Sequence, residues 1–487
     1  MKSSKILTLA VAFAVLASVV MPIFSLGPVA NAAATDPIDV KIGLLNPMTG
    51  DLANYAPAFT DAANMSIAHL NAGQTDYSFS LVEADSACDP TTAGSSAQAL
   101  VDAGVAAIAG AACSGASMAA LEVAKAGTTP MVSYASTSPG FTVYDDDDYF
   151  FRVVPSDAQQ GVAMATMAGS HGWQNPGIMY MTNDYGAGLA DVVKAAYAAA
   201  GVTSMCVDIG YEQGTTDFST QIATLAAGEC DSLIMVTYAT DGAAILEEMA
   251  TQGIQGPTSP VCSANCPFPV MGADGIADIN FLASFTDASA AAMVIATKPA
   301  SGTETAAKTA FETAWAEYYG GDDAAAIYIH ETYDAVAMIG QAAIVSTESS
   351  LDMRLAIRQV GDGYEGASGT HTFDAAGDVG GSGYQICQFV PVIVEGQPSL
   401  DLRCNGHFGT SLSFPNAAHI KIGMLSPMTG DLAVYAPGFS LAANVAIGYM
   451  NTIQPLNFQF SIIIADSACD GTTAATGAQT LIDAGVV

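Results

Sequence analysis

A stretch near the start of the chain, KIGLLNPMTGDLANYAPAF from Lys41, returns near its end as KIGMLSPMTGDLAVYAPGF from Lys421. The likeness continues through ADSACD at Ala84 and again at Ala465, then through LVDAGV at Leu100 and LIDAGV at Leu481. More than half of the aligned positions are identical. Self-similarity of this kind marks duplicated structural units, so whatever the chain folds into, it starts to fold into twice. One complete unit occupies residues 33–410, its ordered part running from about Asp39 to about Gly409, and residues 419–487 form the start of a second. The sequence given stops where a third strand of the second unit is due, so this stretch cannot close a layered core alone. The expectation is a fragment of a longer tandem chain; the alternative is a stub that pairs with another copy by swapping.

The cysteines fit the same reading. Nine are present, and the pairs expected are Cys88 with Cys113, Cys206 with Cys230, Cys262 with Cys266, and Cys387 with Cys404, although connectivity cannot be deduced from sequence alone. Cys469 is left over because it corresponds to Cys88, and the counterpart of Cys113 lies beyond Val487. A zinc site at Cys262 and Cys266 is the weaker reading, since no second Cys or His pair stands nearby. Disulfides require an oxidising compartment, and the N-terminus supplies a route to one. Lys2 and Lys5 precede an apolar run from Ile6 to about Gly27, and Ala30-Asn31-Ala32 has the small-x-small form of a leader-peptide cleavage site, so residues 1–32 read as a signal peptide. An uncleaved run would serve as a membrane anchor.

Composition excludes some partners. With 47 acidic against 12 basic residues the formal net charge is −35, so nucleic acid and anionic membrane surfaces would be repelled. The 51% hydrophobic content argues for large cores and against disorder.

Within the first unit, apolar runs of strand length alternate with stretches of helix length: Val40–Leu45, then Ala56–Leu70, Phe79–Glu83, Thr92–Ala103, Ala106–Ala109, Ser114–Ala126 and Pro130–Ser133. A second series follows Pro155, with helices expected at Asp157–Ser170, Ala187–Ala200, Phe218–Ala226 and Asp241–Thr251, and strands at Gly177–Met181, Ser204–Ile209 and Ser232–Thr237. Repeated βα units predict an α/β fold whose mainly parallel sheets are covered by helices on both faces. Two series predict two lobes, with a ligand cleft at the carboxyl ends of the strands.

The opening KIGLLNPMTGDLANYA, the pair ADSACDP and AACSGAS, YASTSP, FRVVPSDAQQG, NDYGAGLAD, GTTDFSTQI, HETYDAVAM and GTHTFDAAGD stand in a set order. In that order and spacing the first unit resembles the branched-chain amino-acid binding proteins of ATP-driven importers, which have the type I periplasmic-binding-protein fold. The resemblance implies two hinged lobes: one from residues 39–153 and 293–365, the other from 154–292 and 366–394. It implies capture of an amino acid or amino-acid-like small molecule (a branched-chain amino acid, an amide or a urea-like compound). Delivery to the membrane permease of an ABC transporter would follow, in the periplasm or at the cell surface, with no cofactor and no metal. It also supports the Cys88–Cys113 pair, whose spacing is similar to a disulfide of the family.

The site residues the resemblance implies are Ser114, at the start of a helix whose free N–H groups can receive a carboxylate; Ser136 and Thr137, in the loop after the strand ending at Ser133; and Tyr55, Tyr185 and Tyr238 as aromatic walls with polar tips. Each has a plainer reading: Ser114 as a helix cap, Ser136 and Thr137 as turn residues before Pro139, the tyrosines as packing. The family also places a carboxylate after the strand expected near Val261 to neutralise a ligand ammonium. Here that segment reads SPVCSANCPFPVMGADG, with no carboxylate in the expected place and Asp274 too far along, which leaves Ser263 or Asn265 for a neutral ligand.

The run Asp145–Asp148 lacks the spacing of a calcium loop and reads as a solvated face. No HExxH, P-loop or nucleophile elbow occurs, so the chain is expected not to be an enzyme. The alternatives to capture for transport are a sensory ectodomain of the same fold and a cell-surface structural protein with a degenerate cleft.

Overall fold

The computed structural model describes residues 36–202, 205–254, 268–302, 304–319, 326–394, 396–414, 418–453 and 458–486. The expected leader (1–32), the Cys262–Cys266 pair, Ser263 and Asn265 lie outside them.

The first lobe opens with β1 (Ile38–Asn46), α1 (Ala56–Ala72), β2 (Tyr77–Asp85), α2 (Pro90–Asp102), β3 (Ile108–Gly110), α3 (Ser114–Ala126), β4 (Met131–Ser133) and β5 (Phe150–Arg152). These strands form one sheet in the order β2-β1-β3-β4-β5, every pairing parallel. Parallel strands are buried on both faces and read as continuous apolar runs; Ile42, Leu44 and Leu45 are fully buried in β1. Helix starts are written locally. Asp89 caps α2 by accepting from Thr92 N at 2.7 Å, with Pro90 at the first helical position.

The second lobe contains α4 (Asp157–Ser170), β6 (Pro176–Met181), α5 (Asp184–Ala199), β7 (Asp208–Tyr211), α6 (Ser219–Ala227), β8 (Ser232–Val236), α7 (Ala239–Thr251), β9 (Val270–Gly272) and β10 (Ile295–Pro299). The chain then returns to the first lobe with α8 (Ala306–Tyr319), α9 (Ile329–Ser349), α10 (Met353–Val360), β11 (Asp362–Glu365) and β12 (Thr370–Thr372). Helix α9 packs on α1 and over β1, β3 and β4. Finally β13 (Tyr384–Val394), β14 (Gln397–Phe408) and β15 (Leu412–Ser413) complete the second sheet, in the order β15-β14-β13-β10-β9-β8-β6-β7.

Two expected lobe limits move. Residues 293–299 do not open the return to the first lobe: β10 pairs parallel with β9 and antiparallel with β13, so its apolar Ile295 and Ala296 extend the second sheet. Residues 366–372 do not open the final return either. Asp334 of α9 accepts hydrogen bonds from Ala367 N at 2.6 Å and Ser368 N at 2.7 Å, and β12 pairs with β11. The chain therefore crosses between lobes after β5, after β10 and after β12. The first and third crossovers are tied by a buried two-pronged ion pair, Arg152 Nε to Asp378 Oδ1 at 2.6 Å and Nη2 to Oδ2 at 2.8 Å.

Disulfides join Cys88 to Cys113, Cys206 to Cys230 and Cys387 to Cys404. The second copy of the repeat forms β16 (Ala418–Ser426), α11 (Ala436–Ile453), β17 (Phe458–Asp466) and α12 (Gly471–Asp483), with β16 and β17 paired parallel as a two-stranded sheet. Cys469 there is free and exposed. Among the described residues no helix is long and apolar enough to cross a membrane.

Candidate functional site

The lobes meet along the carboxyl ends of their strands, where parallel α/β sheets leave a crevice. Several hydrogen bonds cross it. Tyr55 OH donates to Gly275 O at 3.2 Å, Gln213 Nε2 to Asp51 Oδ2 at 2.9 Å and to Cys88 O at 2.8 Å, Asn54 Nδ2 to Ser284 Oγ at 2.9 Å, and Ser138 Oγ to Asp184 O at 2.8 Å. Between them lies a small cavity walled by Leu52, Tyr55, Phe59, Ala112, Ser114 and Ala135 from one lobe and Tyr185, Tyr238, Asp274 and Gly275 from the other, with Ile327 and Tyr328 leading into α9.

Four of the six expected ligand residues line this cavity: Tyr55, Ser114, Tyr185 and Tyr238. Ser114 is the first residue of α3, and its Oγ accepts from Ser138 N at 3.3 Å. Tyr185 and Tyr238 stack face to face, ring centres 5.1 Å apart. Ser136 is placed differently from the expectation. Its hydroxyl bonds Ala111 O at 3.1 Å and Ser117 Oγ at 2.8 Å, which commits it to bracing the loop. Thr137 is not among the cavity walls; its hydroxyl is buried beside the Asp157 carboxyl. Arg152 holds this loop from below through Nη1, bonded to Ser138 O at 2.8 Å and Ser136 O at 3.2 Å.

Among the described residues the strand that follows α7 is β9 (Val270–Gly272), and Asp274 stands just past its end, on the cavity wall. Its Oδ1 accepts from Tyr185 OH at 2.7 Å and its Oδ2 from Tyr328 OH at 2.6 Å. Gly275 must lack a side chain here, because a Cβ would sit 2.2 Å from Thr237 O. Burial pushes the Asp274 carboxyl above its ordinary range while the tyrosine hydroxyls pull it back down. Burial first, then the charge of Asp274, pushes Tyr185, Tyr238 and Tyr328 well above the ordinary phenol value, so these hydroxyls stay protonated. A second carboxylate, Asp157 at the start of α4, is fully buried beside the Thr137 hydroxyl, and burial followed by the charge of Asp274 raises it well above its usual value.

Asp274, Tyr328 and Arg152 were not recognised as site residues in the sequence. The short apolar run Val270-Met271-Gly272 before Asp274 was the available signal; Tyr328 and Arg152 carried none that separates them from packing residues. The acidic run Asp145–Asp148 lies apart from the cleft and is ion-paired at two points, Asp147 with Lys125 at 2.7 Å and Asp148 with Arg358 at 2.6 Å. Among the described residues no cluster of three or more His, Cys, Asp or Glu side chains is placed to hold a metal.

Comparisons with known proteins agree with this architecture. The chain is 26% identical over 264 residues to the Leu/Ile/Val/Thr-binding protein of Salmonella typhimurium, covering 54% of this chain and 68% of that one. It is 24% identical over 343 residues to a leucine-, isoleucine-, valine-, threonine-, and alanine-binding protein of Pseudomonas aeruginosa, covering 70% and 87%. In fold it is similar to a leucine binding protein from Thermotoga maritima, with a TM-score of 0.61 and 22% identity over 74% of this chain and 97% of that one. Residues 39–390 match the periplasmic binding protein family, and since that span takes in both lobes and all three crossovers, the chain belongs to this family, with the type I fold.

Proposed function

We propose that the chain captures an amino acid or amino-acid-like small molecule between its lobes, outside the cytoplasm, and presents it to the permease of an ABC importer without chemical change. The observation that carries this reading is the meeting of Asp274 from the second lobe with the N-terminus of α3 from the first, across one buried cavity. A zwitterion needs both. Its carboxylate is received by the free N–H groups at the start of α3 and by the Ser114 hydroxyl. Its ammonium faces Asp274. Tyr55, Tyr185 and Tyr238 supply apolar walls with polar tips. A ligand held this way touches both lobes, which is the condition for it to shift an equilibrium between open and closed cleft.

The reading is tested by a thermal-unfolding screen with amino acids, amides, urea and short peptides, followed by calorimetry on any ligand that raises the transition. Asp274→Asn keeps the shape of the side chain and removes its charge, so affinity for a zwitterion is expected to fall at least about thirtyfold. Unchanged affinity in that variant would rule out ammonium recognition by Asp274.

A further inference from the structure

The cavity between the lobes is about 20 Å³, and on that measure a single water needs about 10–15 Å³. Any amino acid must therefore displace wall atoms, and the displacement grows with each carbon of its side chain. Three of the four tyrosines that form the walls are tied. Tyr55 is bonded to Gly275 O, and Tyr185 and Tyr328 are each bonded to Asp274. Tyr328 is the most constrained of these. It caps the start of α9 with its backbone in the left-handed region (φ 62°), where a bulky residue has little freedom, and its neighbour Ile327 donates N–H to Asp278 Oδ2 at 2.6 Å. Its ring thus closes one end of the cavity from a backbone pinned on both sides.

The fourth tyrosine differs. Tyr238 is 4% exposed, lines the same cavity, and its hydroxyl has no partner. A buried hydroxyl without a partner is costly, and a ligand group that supplies one gains accordingly. Its ring is stacked on Tyr185, with the carboxylates of Asp274, Asp51, Asp241 and Asp157 around it and none of them bonded to the hydroxyl.

Resting on the amino-acid reading above, we infer that the cleft selects an amino acid with a short hydroxylated side chain, serine being the type, over branched apolar ones. Tyr328 limits its length and Tyr238 recognises its hydroxyl. Extra methylenes in a tied cavity force rotamer and backbone shifts, so leucine is disfavoured by size. Alanine demands less displacement than either but leaves the Tyr238 hydroxyl unpaired.

Calorimetry of the full chain with L-serine, L-alanine and L-leucine tests this. Serine is expected to bind about tenfold more tightly than alanine, and leucine to bind at least tenfold more weakly than serine. Tyr238→Phe should bring serine down to the level of alanine while leaving alanine within about twofold. Tyr328→Ala should raise leucine affinity, and Tyr328→Phe, which keeps the ring and the fold but not the bond to Asp274, should leave leucine disfavoured. Leucine binding as tightly as serine overturns the inference and leaves amino-acid capture standing. An equal loss of serine and alanine in Tyr238→Phe overturns the role given to that hydroxyl. No heat with any of the three overturns this inference, and the amino-acid reading is then decided by the wider thermal-unfolding screen.

Discussion

The two copies of the repeat share their local structure and differ in what covers it. In both, the first two strands pair in the same register, Lys41 opposite Ser80 and Lys421 opposite Ser461. In both, the carboxylate at the end of the second strand holds the loop after the first: Asp85 accepts from Thr49 N at 3.1 Å, and Asp466 from Thr429 N at 3.0 Å. The lysine of each first strand reaches a carbonyl past its second helix, Lys41 to Ala103 O at 3.0 Å and Lys421 to Ala484 O at 3.1 Å. Gly50 and Gly430 both turn through positive φ against the carbonyls of Ala87 and Ala468. Burial separates the copies. Leu45 is fully buried and its counterpart Leu425 is 41% exposed; Phe59 is 1% exposed and Phe439 47%; Tyr55 is 3% exposed and Tyr435 57%. The first copy has β3 beside β1 and α9 over α1, whereas among the described residues β16 pairs only with β17. Backbone hydrogen bonds, caps and turns are thus properties of the local sequence, while a core is a property of distant segments.

The sharpest way to break this comparison is to remove the same ring from each copy. Phe59→Ala should destabilise the first unit by about 3–5 kcal/mol; Phe439→Ala should change it by less than about 0.5 kcal/mol. Denaturant unfolding followed by tryptophan fluorescence reads the first unit alone, because Trp173 and Trp315 both lie there. Equal effects would mean that Phe439 packs against the first unit and contributes to its core.

The cysteines give a smaller contrast. Cys88 is bonded to Cys113 across 25 residues, and its counterpart Cys469 is free. Replacing Cys88 and Cys113 together by serine should cost about 3 kcal/mol of first-unit stability, whereas Cys469→Ser should leave that transition in place. A loss on replacing Cys469 would reveal a bond it makes in solution.

The smallest expected effect is on pH dependence. Burial pushes the Asp241 carboxyl, bonded by Tyr211 OH, up to about 7. A carboxyl raised on folding binds its proton more tightly in the native state, so its contribution is complete below about pH 4 and is lost as pH rises through about 7. Glu331, also pushed up to about 7 by burial, acts in the same direction. First-unit stability should therefore fall by about 2 kcal/mol between pH 5 and pH 8 on account of Asp241, and Asp241→Asn should flatten that part of the slope. A stability that rises over this interval would contradict the burial assigned to Asp241.

Much of the fold was legible because its signals are local. Apolar runs bounded by turns marked the strands, and the duplication exposed the unit length and explained the odd cysteine. Legibility ended at short buried strands. Val270–Gly272 has three residues and no periodicity to display, so the carboxylate behind it, Asp274, was assigned to no site. The same limit misplaced β10, whose lobe is decided by which sheet edge stands open to it.

The sequence by itself determined the alternation of strand and helix, the caps, the duplicated βαβα unit and the tyrosines and serine that enter the cleft. Tertiary structure alone decided which groups face one another there. Tyr328 meets Asp274 across 54 residues of chain, Tyr55 meets Gly275 across 220, and Arg152 meets Asp378 across 226. The physical reason is the range of the interactions. Backbone hydrogen bonding and capping act within a few residues and are repeated wherever the same residues recur, as the second copy shows. Burial, charge pairing and cavity shape depend on what the rest of the chain brings alongside, which no local stretch encodes.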